Sequence, residues 1–206
     1  TMTKPMSANN APVFILVTPQ MAENIGMSAR AMLNCGISQM RLVNPKVSHL
    51  SEKAIAASSG ADVILQNAQV FSSLEEAISD CQIIYATTAR RRGMIKPINT
   101  ARFAAQKMIE NPQYRYGIIF GPERTGLLNE DVCLSNEIIE IPLNPEHSSL
   151  NLSQAVLLVG YEWYQQKISA PQEEFVIGKT QFADKQKIMT FIKTLEQKVD
   201  DSGIFA

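Results

Sequence analysis

Histidine and cysteine are scarce in this chain and neither charge sign prevails: its 206 residues include two His, three Cys, 19 basic and 20 acidic side chains. Cys35, Cys81 and Cys133 are odd in number, far apart and form no C-x-x-C, which argues against a disulfide scaffold and for a reducing, cytoplasmic setting. His49 and His147 are widely separated and lack spaced Cys partners, so no metal site is expected. Near the start the longest strongly apolar run is Val13 to Val17, far short of the roughly 20 residues of a membrane helix, and the leading TMTKPMSANN has no hydrophobic signal region. No membrane partner is expected. A net charge of −1 supplies no whole-molecule field, so a nucleic acid would have to be held by a local patch, the densest being Arg90, Arg91, Arg92 and Lys96. Also missing are G-x-G-x-x-G after a strand, G-x-x-x-x-G-K-[ST], H-E-x-x-H and G-x-S-x-G, which discounts dinucleotide-binding, P-loop, zincin and α/β-hydrolase chemistry.

What is present is ordinary globular material, 45% apolar and 19% charged. A chain of this size buries about 70% of its unfolded surface, enough for one domain without staples. Short apolar runs at Val13 to Thr18, Met40 to Val43, Ile83 to Thr87, Gly117 to Phe120 and Ile138 to Leu143 read as strands. Helical segments alternate with them: Ala22 to Cys35, stopped by Gly36, then Leu74 to Asp80, Thr100 to Glu110 and Leu152 to Lys167. The runs VFILV, IIYA and GIIF are apolar almost throughout, as strands covered on both faces are. The expectation is therefore an α/β fold with a mostly parallel sheet flanked by helices. Signals at Ser51 to Ser59 and Val63 to Leu65 are too weak to assign. Residues 1–11 read as a disordered lead, 12–167 as the domain, and 168–206 as a linker with an amphipathic helix over Asp184 to Asp200, whose stripe is Ile188, Phe191, Ile192, Leu195 and Val199.

Three polar clusters follow strand ends, where ligands of open α/β sheets sit. The first is Asn24, Gly26 and Arg30 in ENIGMSARAM. Helical steps of 100° would place Asn24 and Arg30 about 120° apart, off a shared face, so Asn24 reads as an N-cap or loop residue. A capped helix with an exposed Arg explains the same residues. In GPERTGLLNEDV, Gly121 and Gly126 would let backbone N–H groups approach a ligand, or simply make a tight turn before a helix near Asn129. In IPLNPEHSSLNLSQA, Ser148, Ser149 and Asn151 are either site residues or caps for the helix at Leu152.

Taken together, N-x-G-x-x-x-R (Asn24, Gly26, Arg30), G-x-E-x-x-G-L (Gly121, Glu123, Gly126, Leu127) and I-P-x(6)-S-L-N-x-S (Ile141, Pro142, Ser149, Leu150, Asn151, Ser153) resemble, in that order, the signature motifs of the SpoU/TrmH (SPOUT) family of RNA 2′-O-ribose methyltransferases. The resemblance covers about residues 12–167. RLVNP (Arg41 to Pro45), ATTAR (Ala86 to Arg90) and NPEHSSLNL (Asn144 to Leu152) are most similar to its TrmJ branch, which methylates nucleotide 32 in the anticodon loop of tRNA. The tail from Ala183 to Phe205 resembles the start of that branch's C-terminal extension.

This resemblance implies a tRNA-modifying homodimer with a C-terminal trefoil knot that forms a pocket for S-adenosyl-L-methionine. The cofactor would rest on Thr87, Thr88, Ala89, Gly121, Ile141, Ser148, Ser149 and Leu150, with Asn24, Arg30, Glu123, Ser149 and Asn151 as the catalytic set. Arg30, Arg90, Arg91, Arg92 and Lys96 would hold RNA. The family's usual proposal makes the motif-one arginine, here Arg30, the proton acceptor. A guanidinium has a pKa above about 12 and no acceptor atom, so that role requires a strongly perturbed Arg30; the competing account has Arg30 hold the phosphate next to the target ribose, with Asn24 or Glu123 orienting it and another group accepting the proton. The alternatives are an rRNA 2′-O-methyltransferase of the same family and a non-catalytic RNA-binding or regulatory module.

Overall fold

Val13–Val17 (β1) and Tyr116–Phe120 (β6) have every side chain buried, the condition for strands covered on both faces. Alternate residues of β1 serve opposite layers. Phe14 and Leu16 join one apolar cluster, whereas Val13, Ile15 and Val17 join the other. The computed structural model describes residues 11–88, 95–168 and 184–202, and the chain divides into a unit spanning 1–170 and a second spanning 171–206.

In the first unit the remaining strands are Met40–Val43 (β2), Gln69–Phe71 (β3), Ile83–Thr87 (β4), Ile98–Asn99 (β5) and Glu137–Ile139 (β7). The helices are Ala22–Asn34 (α1), Glu52–Ser58 (α2), Asp62–Gln66 (α3), Leu74–Ile78 (α4), Ala101–Glu110 (α5), Asn129–Cys133 (α6) and Leu152–Ile168 (α7). The seven strands form one sheet in the order β3-β2-β1-β6-β4-β7-β5, and every pairing is parallel. Helices α1, α5 and α7 cover one face through Ile25, Met32, Met108, Val156 and the fully enclosed Trp163. The other face is closed by α4 and α6 through Leu74, Ala77 and Val132. The Val, Leu, Ile and Met side chains among these each contribute about 1.5–3 kcal/mol when fully buried. Among the described residues one charged side chain is buried: Arg41 on β2 forms a two-pronged pair with Asp80 at 2.6 and 2.8 Å and donates to the Ala77 carbonyl.

Three local readings need correction. Asn24 lies inside α1, not at its cap; Met21 holds the cap position, and the Glu123 carboxylate from a distant loop accepts from the N–H groups of Gln20 and Met21 there. The strand expected over Ile138 to Leu143 stops at Ile139, two residues short of Ile141, and the chain turns away with Pro142, which has no N–H for a ladder. The weak segments 51–59 and 63–65 are the short helices α2 and α3, the first capped by Ser51, whose Oγ accepts from Ala54 N at 3.3 Å. In the second unit, Lys185–Asp201 (α8) starts from Asp184, whose carboxylate accepts from Lys187 N at 2.9 Å, and carries the expected apolar stripe. Expectations for residues 1–10 and for the linker over 169–183 lie outside the described residues.

Candidate active site

β1 and β6 run side by side with Leu16 opposite Phe120, so the loops leaving their carboxyl ends emerge together. The sheet order diverges at this point, with β2 and β3 beyond β1 and with β4, β7 and β5 beyond β6, which opens a crevice between the two loops. Thr18 begins the first loop at φ 48°, a left-handed conformation strained for a β-branched residue.

Glu123, in the loop after β6, gathers these segments. Its Oε2 accepts from Gln20 N at 3.0 Å, and its Oε1 accepts from Met21 N at 3.2 Å and from Asn24 Nδ2 at 2.8 Å. A carboxylate at this position also complements the positive end of α1. Asn24 Oδ1 in turn accepts from Asn151 Nδ2 at 2.9 Å. Asn151 caps α7: its Oδ1 accepts from Ser153 N at 2.8 Å and Ser153 Oγ at 2.6 Å, while its own N–H meets Gln154 Oε1 at 3.3 Å. The three motifs are thus joined by one hydrogen-bonded chain, although Glu123 stands 99 residues from Asn24 and Asn151 stands 127 from it.

Beside this chain is a cleft of about 440 Å³. Its floor is the strand-end residues Thr87, Thr88, Phe120 and Gly121, one wall is the loop from Pro122 to Leu127, and the opposite wall is Ile141, Leu143, Ser148, Ser149 and Leu150. The loop closes tightly on Gly121, where a Cβ would lie 2.2 Å from Leu127 N. Thr87 is fixed by donating Oγ1 to the Ile119 carbonyl at 2.8 Å. Of the residues the resemblance offered for a cofactor, Thr87, Thr88, Gly121, Ile141, Ser148, Ser149 and Leu150 all line this cleft, and Ala89 lies outside the described residues.

From the catalytic set only Glu123 and Ser149 line the cleft. Asn24 is buried behind them, and Asn151 meets the cleft only through its neighbours Ser149 and Leu150. Arg30 stands apart on the exposed side of α1, donating to Ser59 Oγ at 3.3 Å, as the angular offset from Asn24 requires. Lys96 has a task the sequence did not suggest: its ammonium donates to the carbonyls of Cys133, at 3.0 Å, and Ser135, at the end of α6. Arg90, Arg91 and Arg92 lie outside the described residues. Sequence reasoning gave no role to Arg124, Thr125 or Leu143, which also line the cleft, although the GPERTG turn already placed the first two beside Glu123. Among the described residues, no group of three or more His, Cys, Asp or Glu side chains is placed to hold a metal ion, and no helix is long and apolar enough to cross a membrane.

A ligand cleft at the carboxyl edge of an all-parallel sheet, walled by two loops and lacking a phosphate loop, defines a class of α/β ligand-binding domains. Residues 11–161 match the model of the SpoU rRNA Methylase family, and the chain belongs to it. An uncharacterized tRNA/rRNA methyltransferase of Haemophilus influenzae is 40% identical over 148 residues, which are 72% of this chain and 60% of that protein. The tRNA (cytidine/uridine-2′-O-)-methyltransferase TrmJ of Photorhabdus laumondii is 38% identical over 149 residues, 72% of this chain and 61% of that one. The chain therefore spans about three fifths of the length of these two relatives in the matched region. Among solved structures, TrmJ from Z. mobilis ZM4 is 45% identical with a TM-score of 0.73, covering 95% of this chain and 82% of that one. The SpoU methyltransferase AviRb from Streptomyces viridochromogenes, solved in complex with the cofactor AdoMet, shares the fold at 19% identity and a TM-score of 0.65 over 79% of this chain and 60% of that one.

Proposed function

We propose that this chain is an S-adenosyl-L-methionine-dependent tRNA 2′-O-methyltransferase acting on nucleotide 32 of the anticodon loop, as a homodimer in the cytoplasm. The observation that carries the reading is the hydrogen-bonded union of Asn24, Glu123 and Asn151 beside a nucleoside-sized cleft. The cleft's chemistry suits a neutral nucleoside with a small polar tail. Ile141, Leu143 and Leu150 offer apolar surface for a base, whereas Thr87, Thr88, Ser148 and Ser149 offer hydroxyls and backbone for ribose and amino-acid groups. When bound, the cofactor supplies a methyl group on a sulfonium centre.

The work left to the protein is chiefly positioning. Glu123 presents the sole carboxylate among the described lining residues and Ser149 a hydroxyl from the third motif, and these two members of the catalytic set are placed to orient a ribose. Arg30 is free of its own chain's cleft and suits a phosphate of the substrate. A homodimer reconciles that separation. Helices α1 and α7 pack together and expose Met27, Leu157, Leu158 and Tyr161, an apolar surface for a second copy whose cleft Arg30 would serve. Residues after β7 would form the trefoil knot of the family around the cleft.

The test is a ribose-methylation map of tRNA and rRNA from a strain lacking this gene, paired with calorimetry of the purified chain against S-adenosyl-homocysteine. Loss of one methyl group at tRNA nucleotide 32, restored by the chain, is the expected result. The family's rRNA name supports a second reading, and a loss confined to rRNA would establish it. No loss together with no binding would leave a non-catalytic RNA-binding or regulatory module.

A further inference from the structure

Ser153 has no role in the reading above, yet its hydroxyl stands at the head of the hydrogen-bonded chain. The direction of that chain follows from its two ends. A backbone N–H can only donate, so the Asn151 atom 2.8 Å from Ser153 N is Oδ1, and Ser153 Oγ, 2.6 Å from the same oxygen, donates to it as well. Asn151 must then offer Nδ2 to Asn24 Oδ1, which leaves Asn24 its Nδ2 for Glu123 Oε1. The far end imposes the same sense, because Gln20 and Met21 N–H also donate to that carboxylate. Every side-chain amide between is therefore locked in one orientation.

Two consequences follow. Asn24 is 2% exposed with both polar atoms engaged, so within its own chain it acts through Glu123 and not on a ligand. Glu123 is the end of the chain that reaches the cleft, and its Oε2 accepts one hydrogen bond, from Gln20 N. We propose that Ser153 is a positioning residue for ribose methylation: its hydroxyl, through Asn151 and Asn24, holds the Glu123 carboxylate in one orientation at the cleft wall. This assignment rests on the functional reading above. A purely structural Ser153 would only help start α7, a task its backbone N–H performs with or without the hydroxyl.

Ser153→Thr and Ser153→Val have the same shape and differ only in the donor, so they separate the two roles. Measured quantities are the single-turnover rate of tRNA methylation, the calorimetric affinity for S-adenosyl-homocysteine, the melting temperature, and the exchange of the Asn24 side-chain amide protons by NMR. The valine variant is expected to slow transfer about tenfold and to speed amide exchange. The threonine variant is expected to stay within about threefold of the parent. Both should bind S-adenosyl-homocysteine about as the parent does and melt at similar temperatures. Should the valine variant not fold, Ser153→Ala removes the same donor. Equal rates and equal exchange in the threonine and valine variants, with a competent parent, overturn this assignment alone. A parent that neither binds S-adenosyl-homocysteine nor methylates RNA overturns the functional reading and this assignment with it.

Discussion

Gly26 lies where α2 crosses α1, and a Cβ built there would stand 2.1 Å from the Ala54 carbonyl oxygen and 2.9 Å from Ala57 Cβ. A carbon meets a carbonyl oxygen comfortably at about 3.3 Å, so Gly26→Ala forces α2 back by roughly 1 Å. The obstacle is backbone and cannot rotate aside. Overpacking of this kind costs about 1–3 kcal/mol or somewhat more, and alanine's better helix propensity returns about 1 kcal/mol. The crowding wins, and the expected net loss is about 2 kcal/mol, or roughly 4–8 °C in melting temperature for a chain of this size. Urea and thermal unfolding of the variant measure it directly. Adding Ala57→Gly relieves the 2.9 Å contact but not the 2.1 Å one, so the double variant should recover less than half of the loss. Gly26 is not part of the cleft wall, and the folded variant should keep its affinity for S-adenosyl-homocysteine. A variant as stable as the parent would refute the packing argument, and one that is stable but unable to bind would reassign the glycine to the ligand.

Acid sensitivity should trace in part to Asp80, whose carboxyl is held at about 2, below its usual 3.8, chiefly by the hydrogen bonds from Arg41. A depressed folded-state value means stability present above about pH 4 and lost as pH falls toward 2; because the Asp80 side chain is 48% exposed, screening limits the effect to about 1 kcal/mol. Urea titrations of Asp80→Asn should show that much less pH dependence, and identical slopes would contradict the pairing. Arg30→Ala removes a single 3.3 Å contact to Ser59, so stability should change by less than about 0.5 kcal/mol while tRNA methylation falls about 100-fold; full activity would remove Arg30 from the site. Under native conditions a thiol reagent should label exposed Cys133 first, whereas Cys35, buried and with its thiol pushed up by that burial, should react only on unfolding. Mass spectrometry after timed quenching reads the order, and early loss of Cys35 would contradict its burial.

Long apolar strands announced themselves because each had to be covered twice. β1, β4 and β6 fall within a residue of where alternation and composition put them. β3 and β5 had no such signal, being three and two residues long with mostly exposed or half-exposed side chains. At the site, the segments that line the cleft were legible from their glycines and polar residues, but their connections were not. A helix-capping rule applied to Asn24 could not know that Glu123, from another loop, already serves the helix's entrance. For Lys96 the sequence showed a charge but not the carbonyls of Cys133 and Ser135 that accept from its ammonium.

The identity of residue 24 follows from what surrounds it. A position 2% exposed at the start of a helix would ordinarily favour an apolar side chain. Here an apolar residue would leave Glu123 Oε1 without one donor and Asn151 Nδ2 without an acceptor, and each deserted group costs about 1–3 kcal/mol. Aspartate would meet Glu123 with like charge, and serine would be too short to span from 2.8 Å on one side to 2.9 Å on the other. Only a short side chain with a donor on one arm and an acceptor on the other completes a one-way chain between a carboxylate and an amide nitrogen. The asparagine of the first motif is therefore explained by its position between the second and third.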